Sequence, residues 1–167
     1  MERRRLLALV AGVLGTGLIG YAFFTDESEE ERVRSVLSRF GRAVSVEADQ
    51  TNPLARLAFV NGEFKETVDP DVHASVPELR NLKQGRQSLA EMAVQSGQLF
   101  RTATVEFSNC DIQVGNAGAK ADCVGHLTGV NRSGEPRKEE RTVHFELREQ
   151  DGAWMIQSII VSEAASN

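Results

Sequence analysis

The stretch VEFSNCDIQVGNAGAKADCVGHL, residues 105–127, decides the fold class of this chain. Its apolar residues alternate with polar ones on both sides of the turn signal Gly115–Gly118, which is typical of two antiparallel strands joined as a hairpin. The alternation slips by one residue near Ser108 and Asn109, and such a slip predicts a β-bulge that bends the first strand. The sequence therefore predicts a long, bent hairpin.

The two cysteines of the chain lie on the two arms of this hairpin. If the turn centres on Asn116 and Ala117, Cys110 faces Cys123, and directly opposed residues place their Cβ atoms about 4.5–5.5 Å apart. A disulfide then needs a modest adjustment of the strands and an oxidising compartment. We expect a Cys110–Cys123 disulfide if the domain is exported, with two buried thiols as the alternative.

Two further strands are predicted after the hairpin. A polar loop over residues 131–137 leads to an alternating strand over residues 143–147, and the turn Asp151–Gly152 leads to the last strand. Trp154 in that strand is expected to pack into the core rather than to form a ligand platform. The charged run over residues 137–141 is interpreted as the solvated start of a strand rather than as a binding patch.

Helical patterns occupy the part of the chain before the hairpin. A capping-box pattern at Ser28 and Glu31 opens a first helix, and Asn52 with Pro53 opens a second helix that ends near Gly62. The predicted elements that follow are an extended stretch, Phe64–Val76, and a third helix, Gln87–Phe100. Helices followed by a long antiparallel meander indicate an α+β fold.

The N-terminal part of the chain has the pattern of a membrane anchor. Three arginines, residues 3–5, precede the 19 uncharged residues Leu6–Phe24, and an acidic stretch follows. As a helix those residues would cover about 28 Å, close to the thickness of a bilayer core. By the positive-inside rule the N-terminus stays in the cytoplasm and the domain lies outside. The expected location is the inner (cytoplasmic) membrane, single-pass, with a periplasmic domain.

Two further features of the N-terminal segment leave alternatives open. Small residues near its end would permit cleavage after Ala22, which would release a secreted or periplasmic protein. A stripe of small residues on one helix face would let two membrane helices pack closely and favour a homodimer, or it reflects ordinary membrane-helix composition. The stripe consists of Ala8, Gly12, Thr16 and Gly20.

The order and spacing of three short motifs resemble one superfamily. The motifs are Asp71-Val72-x-x-x-x-Pro77, Gly85-Arg86-x-x-Leu89 and Asp151-Gly152-x-Trp154-x-Ile156. Over roughly residues 28–163 the chain resembles the nuclear transport factor 2-like superfamily, which includes polyketide cyclases, ketosteroid isomerases and scytalone dehydratase. The resemblance implies a cone-shaped, curved antiparallel sheet wrapped around helices, with a pocket between them. It also implies a choice of roles, because the family contains enzymes, ligand-binding proteins and periplasmic domains of single-pass scaffold proteins.

These observations divide the chain into an ordered series of segments. The expected segments are a cytoplasmic stub (1–5), a transmembrane segment (6–24), an acidic juxtamembrane linker with the helix start (25–32), the domain (28–163) and a tail (164–167). Residues 25–167 carry 16 Lys and Arg against 23 Asp and Glu. An acidic domain is a poor partner for phosphate backbones, so nucleic-acid binding is not expected.

Few residues are candidates for catalysis. The resemblance places His73 and Ser75 on the segment that borders the family's pocket, and Asp111 lies in the middle of a strand. A histidine with an acid would suit proton transfer near neutral pH. The family's isomerases and dehydratases rely on tyrosine hydroxyls, however, and the single tyrosine here is Tyr21 in the apolar segment. No cofactor is expected.

The remaining histidines do not suggest a metal site. His126 and His144 fall on the alternation phase opposite to the apolar residues, so we expect them on the outer face of the sheet. Their spacing does not match that of a zinc site. No metal is therefore expected.

Two functions follow from the sequence. The first is a non-catalytic, membrane-tethered module that binds an envelope protein partner or a small apolar ligand. The alternative is a small exported enzyme of the polyketide cyclase or isomerase type. An open cavity with convergent Asp and His groups would favour the enzyme, whereas a core filled with Leu and Phe would favour a scaffold.

Overall fold

A computed structural model describes residues 27–48, 52–77 and 83–163. In chain order its elements are α1 (Glu29–Val44), α2 (Pro53–Thr67), β1 (Val68–Ser75), α3 (Arg86–Leu99), β2 (Phe100–Gly115), β3 (Gly118–Asn131), β4 (Pro136–Gln150) and β5 (Ala153–Glu163). The α+β class is confirmed, with the helices packed against one curved sheet.

The first helix begins where the capping box predicted. The Ser28 side chain accepts a hydrogen bond from the Glu31 amide at 3.2 Å, and the Glu31 carboxylate accepts one from the Ser28 amide at 3.0 Å. These two bonds satisfy amide groups that have no partner within the helix. One face of α1 is buried against the sheet through Val33, Leu37, Phe40, Gly41 and Ala43.

The second helix is longer than predicted. It continues past Gly62 to Thr67, so the expected extended stretch from Phe64 is strand only from Val68 to Ser75. Val60, Phe64 and Thr67 are all buried, and their spacing keeps one helix face against the core. A glycine in a helix costs only about 1 kcal/mol relative to alanine, which this burial outweighs.

The third helix is confirmed to within one residue at each end, because it spans Arg86–Leu99. It begins after Gly85, whose φ of 95° lies in a region that other residues rarely adopt. The Gly85 amide donates a hydrogen bond to the Val72 carbonyl at 2.9 Å. This bond joins the start of α3 to β1.

The sheet is mixed, not antiparallel as expected. Its strand order is β1-β5-β4-β3-β2, and β1 runs parallel to β5 whereas the other pairs are antiparallel. The meander from β2 to β5 is therefore confirmed. β1 lies at one edge of the sheet, beside β5. Short-range sequence patterns do not encode this pairing, because it depends on contacts between residues distant in sequence.

The predicted hairpin register is confirmed. Val114 pairs with Ala119 and Ile112 with Ala121, and the register shifts between Ser108 and Asp111 as the bulge predicted. Asn109 adopts a positive φ of 49° within the shifted segment. This is the bulge geometry in which one strand carries an extra residue and bends.

Helix α1 lies along the inner face of the sheet and gives the domain two distinguishable ends. At the end beside Glu29, which we call the closed end, the Trp154 indole N–H donates to the Glu29 carboxylate at 2.7 Å. At the end beside Val44, which we call the open end, Val46 and Ala103 exchange backbone hydrogen bonds at 2.6 and 2.9 Å. The two helix ends are about 22 Å apart, at ~1.5 Å per residue.

Candidate functional site

A cavity of about 500 Å³ lies between the helices and the inner face of the sheet, towards the open end. Its lining is mostly alkyl and phenyl. The lining residues are Phe40 and Val44 of α1, Ala74 of β1, Val76, Leu89 and Met92 of α3, Val105 and Phe107 of β2, Gly125, His126 and Leu127 of β3, Glu139, Arg141 and Val143 of β4, and Ile159 and Val161 of β5. Concave, largely apolar cavities of this size are the usual form of small-molecule sites.

The floor of the cavity is formed by packed aromatic rings. Phe107 meets Phe145 edge to face with ring centroids 5.0 Å apart, and Phe40 stacks on Phe107 at 6.2 Å. Gly125 makes room for this arrangement, because a Cβ there would lie 2.9 Å from the Val143 side chain and 3.6 Å from the Phe107 ring. Phe40 and Phe107 line the cavity, and Phe145 is fully buried against them.

Two charged side chains, Glu139 and Arg141, line the cavity. We call this charged part of the lining the rim. They are two residues apart on β4, so they share the inner face, opposite Leu127 and Gly125 of β3. Their closest charged atoms, Arg141 Nη2 and Glu139 Oε2, are 3.6 Å apart. The interpretation of residues 137–141 as only a solvated strand start missed this pair, although strand alternation was the signal that could have found it.

A buried arginine joins the C-terminal end of α1 to the middle of α3 at the open end of the domain. Arg56 of α2 is 3% exposed and donates to the carbonyls of Ser45 and Ala93, both at 2.8 Å. Burial lowers the pKa of the Arg56 guanidinium, and the negative charge of Glu47 opposes that shift. Because Ser45 and Ala93 lie next to the lining residues Val44 and Met92, this one side chain positions two walls of the cavity.

The candidate catalytic residues lie away from the cavity lining. His73 and Ser75 are exposed on β1, on the side opposite the buried Val72 and Ala74. Asp111 is exposed on β2, where it accepts a hydrogen bond from the Gln113 side chain at 3.4 Å. The structure does not bring these three side chains together.

The two sheet histidines lie on the outer face. The His126 ring contacts the Ser108 hydroxyl at 2.8 Å and the Glu140 carboxylate at 3.5 Å. His126 thus adjoins the cavity wall at Gly125, but its ring nitrogens serve partners on the other side of the sheet. His144 Nδ1 lies 2.7 Å from the Asp122 carboxylate.

The predicted disulfide between Cys110 and Cys123 is present. The two Cα atoms are 4.1 Å apart across β2 and β3, and Cys123 is 2% exposed. Cys123 pairs with Val143 of β4, which lines the cavity. The disulfide therefore joins β2 and β3 beside Val143, a residue of the cavity lining.

The described ranges contain neither a candidate metal site nor a helix that could span a membrane. Within residues 27–48, 52–77 and 83–163, no group of three or more His, Cys, Asp or Glu side chains is placed to hold a metal ion. In the same ranges no helix is both long and apolar enough to cross a membrane. The expected span over residues 6–24, the cleavage position at Ala22 and the small-residue stripe lie outside the described part of the chain.

The comparisons with known proteins bear on the fold. No family model matches the sequence, and no curated protein matches it significantly. A nuclear transport factor 2-like superfamily protein from Salmonella enterica serovar Typhimurium is 18% identical, with a TM-score of 0.64 over 83% of this chain and 95% of that chain. A Nostoc punctiforme protein with a cystatin-like fold is also 18% identical, with a TM-score of 0.57 over 83% and 92%.

A third structural neighbour is named as an enzyme. A Novosphingobium aromaticivorans protein, a candidate scytalone dehydratase by name, is 16% identical, with a TM-score of 0.59 over 81% of this chain and 84% of that chain. Identities this low show the fold and leave activity open. The curved mixed sheet, the enclosed helix α1 and these neighbours together show that the chain has the nuclear transport factor 2-like fold.

Proposed function

We propose that the domain is a non-catalytic module that binds a small, mainly apolar molecule in its concave cavity. The observation that carries the proposal is the cavity itself, about 500 Å³ in volume and lined mostly by alkyl and phenyl groups. Burying an apolar molecule there gains about 25 cal/mol for each Å² of apolar surface removed from water. Because Phe40 and Phe107 are already packed against each other in the free protein, fewer side chains lose conformational freedom when a ligand binds.

The enzyme alternative gains less support from the same cavity. General acid–base catalysis needs titratable groups within hydrogen-bond reach of the reacting atoms. Among the described lining residues, the charged side chains are Glu139 and Arg141, and the ring nitrogens of His126 contact outer-face partners. Because His73 and Asp111 are exposed elsewhere, they do not complete an acid–base pair around a bound molecule.

The proposal includes a membrane tether at residues 6–24, with the domain on the periplasmic side of the inner membrane. A tether that ends shortly before Glu29 would place the closed end towards the bilayer. The cavity would then lie on the side away from the membrane, so its ligand would come from the aqueous phase or from an envelope partner. Cleavage near Ala22 would release the same domain, and a homodimer could form in either case.

Two neighbouring residues of β5 allow a direct test. Val161 lines the cavity, whereas Ile160 is 40% exposed on the opposite face. We expect the neutral fluorescent probe N-phenyl-1-naphthylamine to bind saturably to the unmodified protein. Val161→Trp should fill part of the cavity and weaken that binding by about tenfold or more, which is at least ~1.4 kcal/mol.

The matched control is Ile160→Trp, which adds the same ring to the outer face and should leave probe affinity unchanged. Fluorescence titration of the three proteins decides the matter. Absence of saturable binding, or equal affinity in all three proteins, would reject the cavity as a ligand site.

A further inference from the structure

A second recess, which we call the lateral groove, lies between helix α1 and the edge strand β2. Its volume is about 490 Å³, and it shares Val105 and Phe107 with the cavity. Leu37 and Gly41 of α1 line its other side. A Cβ at Gly41 would lie 2.8 Å from the Val105 carbonyl oxygen, so glycine allows the helix to approach the strand this closely. The lateral groove therefore follows from the packing of α1 on β2.

Two arginines of α1, Arg34 and Arg42, line the lateral groove and are exposed. Within the described residues, neither side chain has an ion pair or a hydrogen bond. Arg39 of the same helix differs, because it pairs with Glu63 at 3.0 Å. Since the domain as a whole is acidic, two unpaired cations on one wall of a groove are a local exception that favours a negatively charged partner.

One acidic residue, Glu106, also lines the lateral groove. It pairs across the strands with His126, whose ring contacts partners on the outer face of the sheet. Glu106 therefore belongs to the outer face, whereas α1 covers the inner face. In the part of the chain that the structure describes, Glu106 forms no ion pair with Arg34 or Arg42. The positive charge of the groove is thus concentrated on the α1 side.

The spacing of the two arginines indicates the shape of the partner. Arg34 and Arg42 are eight residues apart, which is about 12 Å along a helix. Drawing both side chains to one small anion would place two like charges side by side, whereas two separate anions keep them apart. In an extended peptide, residues four positions apart are separated by about 13 Å and point to the same side. Two carboxylates at that spacing match the two arginines.

The free edge of the sheet adds a second feature that suits an extended segment. β2 is the terminal strand on that side of the sheet. Ala103 exchanges backbone hydrogen bonds with Val46, and the Val105 amide donates to the Ser45 hydroxyl at 2.9 Å. These bonds point away from β3, so strand alternation directs the backbone groups of Phe107 the same way. An extended segment can hydrogen-bond to edge groups of this kind.

We propose that the lateral groove binds an extended, acidic segment of a protein partner, with Arg34 and Arg42 contacting two carboxylates four residues apart in that segment. The arginines supply charge-assisted hydrogen bonds, and the edge of β2 supplies backbone pairing. Nucleic acid fits this groove less well, because the acidic domain repels a phosphate backbone. The interaction goes beyond the proposed function, since neither arginine lines the cavity.

Fluorescence anisotropy with two labelled peptides of identical composition tests the spacing. Both peptides have nine residues of alternating Thr and Val, with two Thr replaced by Glu. The matched peptide carries Glu at its third and seventh positions, and the mismatched peptide at its third and fifth. We expect the matched peptide to bind the full chain about threefold more tightly, because it alone reaches both arginines. Added salt should weaken its binding through screening.

Substitutions of the arginines test their role. Arg34→Gln and Arg42→Gln should each weaken binding of the matched peptide about threefold and remove its advantage over the mismatched one. Lys83→Gln is the control for the loss of one positive charge. Lys83 is exposed and precedes Gln84, whose side chain bonds to β1 at the opposite edge of the sheet. This variant should bind the matched peptide as the unmodified protein does.

A second pair of variants keeps the test decisive if an arginine variant folds poorly. Ser38 lines the lateral groove between the two arginines, whereas Ser35 is exposed on the same helix and does not line it. Ser38→Trp should obstruct the groove and weaken binding of the matched peptide by about tenfold or more. Ser35→Trp adds the same ring outside the groove and should leave the affinity unchanged.

The outcomes separate this inference from the proposed function. Absence of saturable binding, equal affinity for the two peptides, or equal losses in Arg34→Gln and Lys83→Gln would overturn it. Tighter binding of an oligothymidylate than of the matched peptide would also overturn it, by making nucleic acid the occupant. Ligand binding in the cavity is measured separately with the neutral dye, so failure of the peptides leaves the proposed function intact.

Discussion

The closed and open ends of the domain are built on the same sheet but are stabilised differently. At the closed end, the inner face is filled by large side chains such as Phe145, Ile156 and Trp154, which are at most 5% exposed. At the open end, Ala74 and Gly125 take the corresponding place and leave a cavity. Strand alternation decides which residues face inward, whereas side-chain volume decides whether they form a core or a binding site.

The polar contacts of the domain differ in depth. At the closed end, Glu29 is exposed and Arg32 is half-buried, whereas Arg148 pairs there with the buried carboxylate of Asp69. The open end depends on Arg56, which is buried among backbone carbonyls. Because water replaces lost hydrogen bonds at exposed positions and does not do so at buried ones, we expect substitutions of buried polar groups to be costlier than substitutions of exposed ones.

Arg56→Met should have the largest effect of the changes considered. Methionine resembles the aliphatic part of arginine in length but removes the buried donor of the Ser45 and Val44 carbonyls. The Ala93 carbonyl keeps the Ser96 hydroxyl as a donor. Since each unsatisfied buried group costs about 1–3 kcal/mol, we expect a loss of about 3–5 kcal/mol in the free energy of unfolding. Urea denaturation measures this quantity.

Arg39→Met is the control for the loss of a guanidinium. Arg39 also lies on a helix and pairs with Glu63 at 3.0 Å, but both side chains are about a third exposed. Partly exposed ion pairs of this kind contribute about 0–1 kcal/mol. A similar cost for the two variants would contradict the distinction between buried and exposed guanidinium groups.

The disulfide lies at the boundary between the two ends, and its removal should have the next largest effect. It joins residues 13 positions apart in sequence. In the chain-entropy model, a loop of this size contributes about 3 kcal/mol by restricting the unfolded chain. The double variant Cys110→Ala with Cys123→Ala should lose about that much stability, measured by urea denaturation.

Reduction of the unmodified protein provides the matching control for this variant. With a reductant present, the unmodified protein should approach the stability of the double variant, whereas the double variant should not change. Equal stability of the oxidised protein and the double variant would show that the bond adds nothing.

The features that the sequence predicted are those encoded locally. The hairpin register followed from alternation around Gly115–Gly118, and the Cys110–Cys123 pairing followed from that register. The capping box at Ser28 likewise needs only residues three positions apart. Such features were correct because neighbouring residues alone determine them.

The features that the sequence missed depend on contacts distant along the chain. The parallel pairing of β1 with β5 and the extension of α2 past Gly62 were not predicted, because tertiary burial overrides local signals. The cavity was implied only by resemblance. Glu139 and Arg141 are an exception, because alternation from Val143 already places both residues on the inner face of β4.

The smallest expected effect concerns Glu29 at the closed end. The hydrogen bond from Trp154, the larger cause, and the hydrogen bond from Arg32 lower the pKa of the Glu29 carboxyl below its ordinary value. A lowered pKa in the folded state means that the ionised form is favoured by folding. Its contribution to stability is therefore present above the ordinary carboxyl pKa and is lost as the pH falls through the folded-state pKa.

Glu29→Gln tests this contribution, because glutamine resembles the protonated carboxyl at every pH. The unmodified protein should be the more stable of the two at pH 7, and the difference should shrink as the pH falls below the ordinary carboxyl pKa and through the lowered folded-state pKa. Glu30→Gln is the matched control: Glu30 is exposed in the same first turn of α1, so it shares the helix-dipole interaction without the Trp154 bond. Thermal unfolding followed by Trp154 fluorescence reports both differences. If Glu30→Gln shows the same pH-dependent difference as Glu29→Gln, the effect belongs to the helix terminus, and the closed end is held by apolar packing without a specific contribution from this bond.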